Sequence, residues 1–161
     1  MFLPGYDSPI LIGRGGFAHV YRAHQVAFDR DVAVKILLVS LDEERDRRRF
    51  ERECAAMGRL TGHPHIVTVL ESGVTPEGNP YLTTPFYERG TLADRIRRQG
   101  PSNVDEVLST GVALAGALDH AHAHGILHRD VKPANVLLSA YDEPASAAMT
   151  AMPKSARAGS S

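Results

Sequence analysis

Hydrophobic positions change their period twice along the chain. Short β-branched runs at 10–12, 18–23 and 32–38, separated by glycine or polar residues, predict three strands. Over 42–60 charges dominate, and Phe50, Cys54, Met57 and Leu60 recur at steps of three and four, which predicts an amphipathic helix. Thr61-Gly62-His63-Pro64 breaks it. Strands are expected again at 66–70 and 81–84, joined by the Gly/Pro/Asn-rich stretch 75–80. Thereafter the pattern is helical: a short polar helix over 91–98 stopped by Gly100-Pro101, then a long apolar helix to about His124 with Gly125 at its end. Ser102, followed by Asp105 or Glu106, is the expected N-cap of that helix. From Ala145 onward the residues are small and polar with no period, and the expectation is disorder.

The fold class that follows is α+β, a strand-rich unit with one helix and then a helical unit. With 161 residues the chain fits one domain with a real core. A formal net charge of −1 gives no electrostatic reason to expect nucleic acid or an anionic membrane as a partner. The arginines between Arg45 and Arg52 alternate with Glu43, Glu44, Asp46, Glu51 and Glu53, as on a solvated helix face. The single cysteine, Cys54, excludes an internal disulfide; it reads as a small buried residue and suits a reducing, cytoplasmic setting. Neither a signal peptide nor a membrane-spanning run of roughly 18 apolar residues is seen, so the expectation is a soluble chain.

Chemistry enters first at Gly13-Arg14-Gly15-Gly16-Phe17-Ala18. The pattern also fits a dinucleotide-binding turn, and Asp31 lies near the offset of a ribose-binding acid. A dinucleotide site would need a helix opening inside the motif, whereas His19-Val20-Tyr21-Arg22-Ala23 alternates as a strand. A glycine-rich turn between antiparallel strands can instead fold over phosphates, because no side chain blocks the approach to its N–H groups. Lys35 follows in Val32-Ala33-Val34-Lys35, where a strand ammonium can reach phosphates if a carboxylate holds it; Glu53 is the candidate. His120 and His124 stand at i, i+4, a spacing that can bind a metal, but the favoured reading is a polar helix end; His63 and His65 read as structural.

His128-Arg129-Asp130-Val131-Lys132-Pro133-Ala134-Asn135, followed by Val136-Leu137-Leu138, is far more specific. With Gly13 to Val20, Lys35 and Glu53 upstream in order, the sequence resembles the protein kinase family, and Asp-x-Lys-Pro-x-x-Asn resembles its bacterial serine/threonine branch. The resemblance covers roughly residues 5 to 144. It implies a kinase small lobe and hinge over 10–87, with an antiparallel sheet plus one helix, after a lead-in at 1–9. The beginning of the helical large lobe would occupy 88–144, before the tail 145–161.

The resemblance also implies ATP and Mg²⁺ as cofactors and a protein serine or threonine hydroxyl as acceptor. ATP would lie against Ile12, Gly13, Arg14, Gly15, Gly16, Phe17, Ala18, His19, Val20, Ala33 and Lys35, with Thr84 as gatekeeper. The Pro85 carbonyl and Tyr87 N–H would meet adenine. Asp130 would orient the attacking hydroxyl, Lys132 would neutralise the transferred phosphate and Asn135 would hold Mg²⁺. His128 would be a packing residue, and Arg129 resembles the arginine that meets a phosphorylated activation loop.

Two departures stand out. Ala18 replaces the third loop glycine, a mild change; more seriously, no Asp-Phe-Gly follows and no Asp occurs after Glu143. The expectation is therefore a truncated or frameshifted domain with little activity alone, or else a non-catalytic, pseudokinase-like fragment that binds nucleotide or a partner. A remnant that does not fold is the third reading. Val107, Leu108, Leu114 and Leu118 of the long helix would lack neighbours, which suggests a dimer or a covering partner.

Overall fold

The computed structural model describes residues 3–39, 41, 43–141 and 143–146. The described residues fall into two compact units. One comprises those up to Gly58 together with Thr68–Phe86; the other comprises Arg59–Val67 and those from Tyr87 onward. The alternating and helical segments are found in α+β form, as the sequence patterns predict.

The first unit is an antiparallel sheet of β1 (Tyr6–Arg14), β2 (Ala18–Gln25), β3 (Arg30–Leu37), β4 (Glu71–Val74) and β5 (Pro80–Pro85), in the order β1-β2-β3-β5-β4, with helix α1 (Glu44–Gly58) between β3 and β4 in sequence. β1 begins inside the segment expected to be a lead-in. Successive side chains of a strand point to opposite faces. On one face Val32 and Val34, both 0% exposed, pack with Leu3, Tyr6, Ala23 and Tyr81. A polar chain crosses the same face: Arg30 Nε donates to Gln25 Oε1 at 2.8 Å, and Gln25 Nε2 to the Tyr6 hydroxyl at 3.2 Å. The Tyr6 and Tyr81 hydroxyls then both donate to the Glu71 carboxylate, Tyr81 at 2.7 Å. Burial first, and then these bonds to Glu71, raise the proton affinity of both phenols.

Gly73 faces Tyr81 across the β4–β5 pair, and a Cβ there would stand 2.8 Å from the ring. Glycine suits this crossing, because the ring is tied to Glu71 and would have to shift to admit a Cβ. The strand expected at 66–70 lies instead at Glu71–Val74. The apolar residues of that run serve as core: Ile66 packs in the second unit and Leu70 in the first.

The second unit contains α2 (Leu92–Gln99), α3 (Val104–Ala123), a 3₁₀ turn over Pro133–Asn135, and a two-stranded sheet of β6 (Val136–Leu138) and β7 (Pro144–Ser146). Thr91 caps α2 in a reciprocal capping box with Asp94. The cap of α3 is Asn103, which accepts the Glu106 N–H at 2.9 Å, and not the expected Ser102. Ser102 instead accepts a hydrogen bond from Arg95, a use its sequence position gave no sign of.

Ala117 and Ala121 of α3 let Leu60, Ile66 and Ile126 close against the helix. β7 corrects the expectation of disorder from Ala145, since Ala145 is buried and pairs with Leu137; the rest of that tail, 147–161, lies outside the described residues. On α3, Val107 and Leu108 are exposed, as are Val104 and Val112, whereas Leu114 and Leu118 are half-buried.

Two outcomes are expected. Gly73→Ala should destabilise the fold by about 1–3 kcal/mol, because the pinned ring must move, as a denaturant melt would measure. His128, 4% exposed, is held below its usual proton affinity by burial, against the pull of Asp130. The unfolded chain therefore takes up a proton below pH 6.5 that the folded chain resists, and stability falls as pH drops through that value. His128→Gln, which keeps an acceptor but does not titrate, should show a shallower loss of Tm between about pH 6.5 and 5.

Candidate active site

The nucleotide residues expected in the first unit share one face of its sheet. Across β2, β3 and β5 the register aligns Val20 with Lys35 and Leu82, and Arg22 with Ala33 and Thr84. This is the face opposite the Val32–Val34 core. The turn from β1 to β2 is closed by the Gly15 N–H donating to the Ala18 carbonyl at 2.9 Å. Apart from its chain neighbours, no described heavy atom lies within 4 Å of where a Cβ on Gly16 would be, so the tip of the turn stands in open space. Ile12 and Phe17 are both exposed, and Arg14 and His19 face each other in the β1–β2 register.

Lys35 is half-buried between the cross-strand side chains of Val20 and Leu82, and burial lowers its proton affinity. The expected pair with Glu53 is not formed: among the described residues Lys35 has no carboxylate partner, and Glu53 accepts from Arg49, one helical turn back on α1, at 3.4 Å. An i, i+4 partner on the same helix is always within reach, whereas a pair from α1 to β3 needs the helix to be held at one particular position. At the end of β5 the Thr84 hydroxyl donates to the Pro85 carbonyl at 3.3 Å, which leaves that oxygen a second lone pair. Tyr87 belongs to the second unit.

The expected transfer residues lie together in that second unit. Lys132 Nζ is 2.8 Å from Asp130 Oδ2, and Asn135 Nδ2 donates to the same oxygen at 2.9 Å and to the Asp130 carbonyl at 2.8 Å. The Lys132 bond first, and the Asn135 bond second, hold the Asp130 carboxyl below its usual range, so it is ionised at neutral pH. Both Asn135 bonds go to oxygen, which fixes the orientation of the amide and turns its carbonyl oxygen away from Asp130.

The backbone is shaped for this arrangement. The Asp130 N–H donates to Nδ1 of buried His128 at 3.2 Å, so the neutral imidazole carries its proton on Nε2. Between them Arg129 adopts φ 63°, left-handed backbone that a non-glycine residue seldom takes. The 3₁₀ turn starting at Pro133 returns Asn135 to Asp130. Sequence reasoning located these residues; it did not reveal that Asn135 and Lys132 both bind one carboxylate oxygen, which depends on that turn.

Comparison with known proteins fits this geometry. Residues 6–146 match the protein kinase domain family. The serine/threonine-protein kinase PknK of Mycobacterium tuberculosis is 54% identical over 140 residues, covering 87% of this chain and 12% of that protein. The DNA damage-responsive serine/threonine-protein kinase RqkA of Deinococcus radiodurans is 41% identical over 136 residues, covering 83% of this chain and 20% of the relative. The crystal structure of the PknI kinase domain from M. tuberculosis superposes with a TM-score of 0.77 at 31% identity, over 93% of this chain and 61% of that one. The chain thus spans a small part of its relatives' length and under two thirds of a solved kinase domain. By sequence and by fold, the chain belongs to the protein kinase family, in its bacterial serine/threonine branch.

Proposed function

We infer that this chain carries the nucleotide-holding and phosphoryl-transfer residues of an ATP- and Mg²⁺-dependent kinase acting on protein serine or threonine. The observation that carries the reading is Asp130, an exposed carboxylate whose Oδ2 is held by both Lys132 and Asn135. Asp130 accepts or orients the proton of the acceptor hydroxyl. Lys132 stands 2.8 Å from it with an ammonium for the oxygens of the transferred group.

The residues present fit the cofactors. Mg²⁺ takes oxygen ligands, and the side-chain carbonyl oxygen of Asn135, which the two bonds donated by its Nδ2 leave unused, is one that could hold it. The open Gly16 tip and the Lys35 ammonium on the same unit suit phosphates. When bound, ATP supplies the γ-phosphoryl group and Mg²⁺ neutralises its charge. Burial already weakens the hold of Lys35 on its proton, so an anionic ligand has a charge to compensate that no described side chain compensates.

A second reading, nucleotide or partner binding without transfer, is favoured by the lack of an Asp-Phe-Gly within these 161 residues. The exposed Val104, Val107, Leu108 and Val112 on α3 fit either reading, as a face that further polypeptide or a second copy would cover. A cytoplasmic setting is part of the same proposal; no helix among the described residues is long and apolar enough to cross a membrane.

Asp130→Asn should lower phosphate transfer to a serine/threonine peptide by about 10²–10⁴-fold while leaving ATP affinity unchanged. ATP binding with no transfer even in the unsubstituted chain would instead favour the second reading. Lys35→Met should raise the stability of the nucleotide-free chain by about 1 kcal/mol and weaken ATP binding, as melts with and without ATP would show.

A further inference from the structure

We propose that His120 and His124, at the C-terminal end of α3, form a two-point chelate for a borderline divalent metal ion such as Zn²⁺ or Ni²⁺. The two residues stand one helical turn apart, with ring centroids 4.6 Å from each other. Imidazole nitrogens at i, i+4 on one helix face present two lone pairs to a single ion.

The tautomer is set for this. His124 Nδ1 donates to the His120 carbonyl at 2.8 Å, so Nδ1 carries the proton and the lone pair stands on Nε2. A backbone carbonyl that orients a ligating imidazole through its other nitrogen is the usual outer support of a histidine–metal bond. Among the described residues no hydrogen bond ties up the His120 ring, and His124 is exposed, which gives the ion a path from solvent.

The surroundings also suit a cation. His120 lies in the last turn of a 20-residue helix and His124 is its C-cap, so both stand where the helix end carries partial negative charge. On the far side of His120, the His63 ring centroid is 5.1 Å away. His63 accepts the His65 N–H on Nδ1 at 3.2 Å, so its own proton is on Nε2 and it is not a ligand as it stands. His65 in turn donates from Nδ1 to the Pro144 carbonyl at 2.8 Å and is turned away. No three ligand-bearing side chains converge among the described residues, so water fills the remaining positions and the ion exchanges freely.

The test is calorimetric titration of the full chain, without any histidine tag, with Zn²⁺ and separately with Ni²⁺. One site is expected at pH 7.5. His124→Ala lies at an exposed position and should retain the fold, checked by circular dichroism, yet lower affinity at least about tenfold. His120→Asn should do the same, while His122→Ala, on another face of α3, should leave binding unchanged. Absence of binding at pH 7.5, or wild-type affinity in His124→Ala, overturns the proposal.

Discussion

The alternation of side chains along β3 is the constraint on which the first unit depends. Val32 and Val34 are fully buried on one face, and that burial fixes the register of β2 and β5 on either side, because a slip of one residue would turn both valines to the other face. Once they are fixed inward, Ala33 and Lys35 have no choice of face. Val20, Leu82 and Thr84 are then placed beside them by pairing alone. The chemical face of the sheet is thus a consequence of its packed face. The polar chain from Arg30 through Gln25 and Tyr6 to Glu71 and Tyr81 adds direction to that packing, linking the edge strands β1 and β4 over the core.

The second unit solves a different problem. A carboxylate in an exposed loop is useful in one orientation only if something holds it, and no strand passes through Asp130. Three local devices supply the hold: a buried imidazole accepts its N–H, a left-handed residue precedes it, and a 3₁₀ turn brings Asn135 back to its side chain. The left-handed Arg129 costs of order 1–2 kcal/mol in backbone energy, which the hydrogen bonds on either side of it offset. His128 acts here as a buried acceptor, in keeping with the packing role expected of it.

What could be read from the sequence follows the same division. Regular periods were legible: four strands, three helices and the α+β class emerge from spacing alone, and the glycine turn is told from a dinucleotide fingerprint by the strand that follows it. Apolar runs without a period were not. The run 66–70 looks like a strand, but Ile66 and Leu70 are each claimed by a different core, and the pairing strand begins one residue later, at Glu71. β7 escaped notice because Pro144-Ala145-Ser146 has almost no apolar content of its own; it forms because β6 offers an edge and Ala145 is small enough to be buried there. The Glu71 bridge between two tyrosines was invisible for a simpler reason: Tyr6, Glu71 and Tyr81 meet only after the sheet order is known.

Lys35 and Glu53 show where a family pattern and local physics part. Both residues stand where the pattern expects them, yet the glutamate accepts from the arginine one turn away and the lysine, half-buried, has no carboxylate partner among the described residues. A same-helix ion pair costs little entropy and stays close to water, so it forms whatever else the helix does. A pair between helix and strand must also overcome desolvation of both charges, and it is favoured only when something further holds the helix or adds negative charge beside the lysine. Phosphate would add that charge. The buried charge of Lys35 is the feature of this face that the proposed nucleotide-binding role would use.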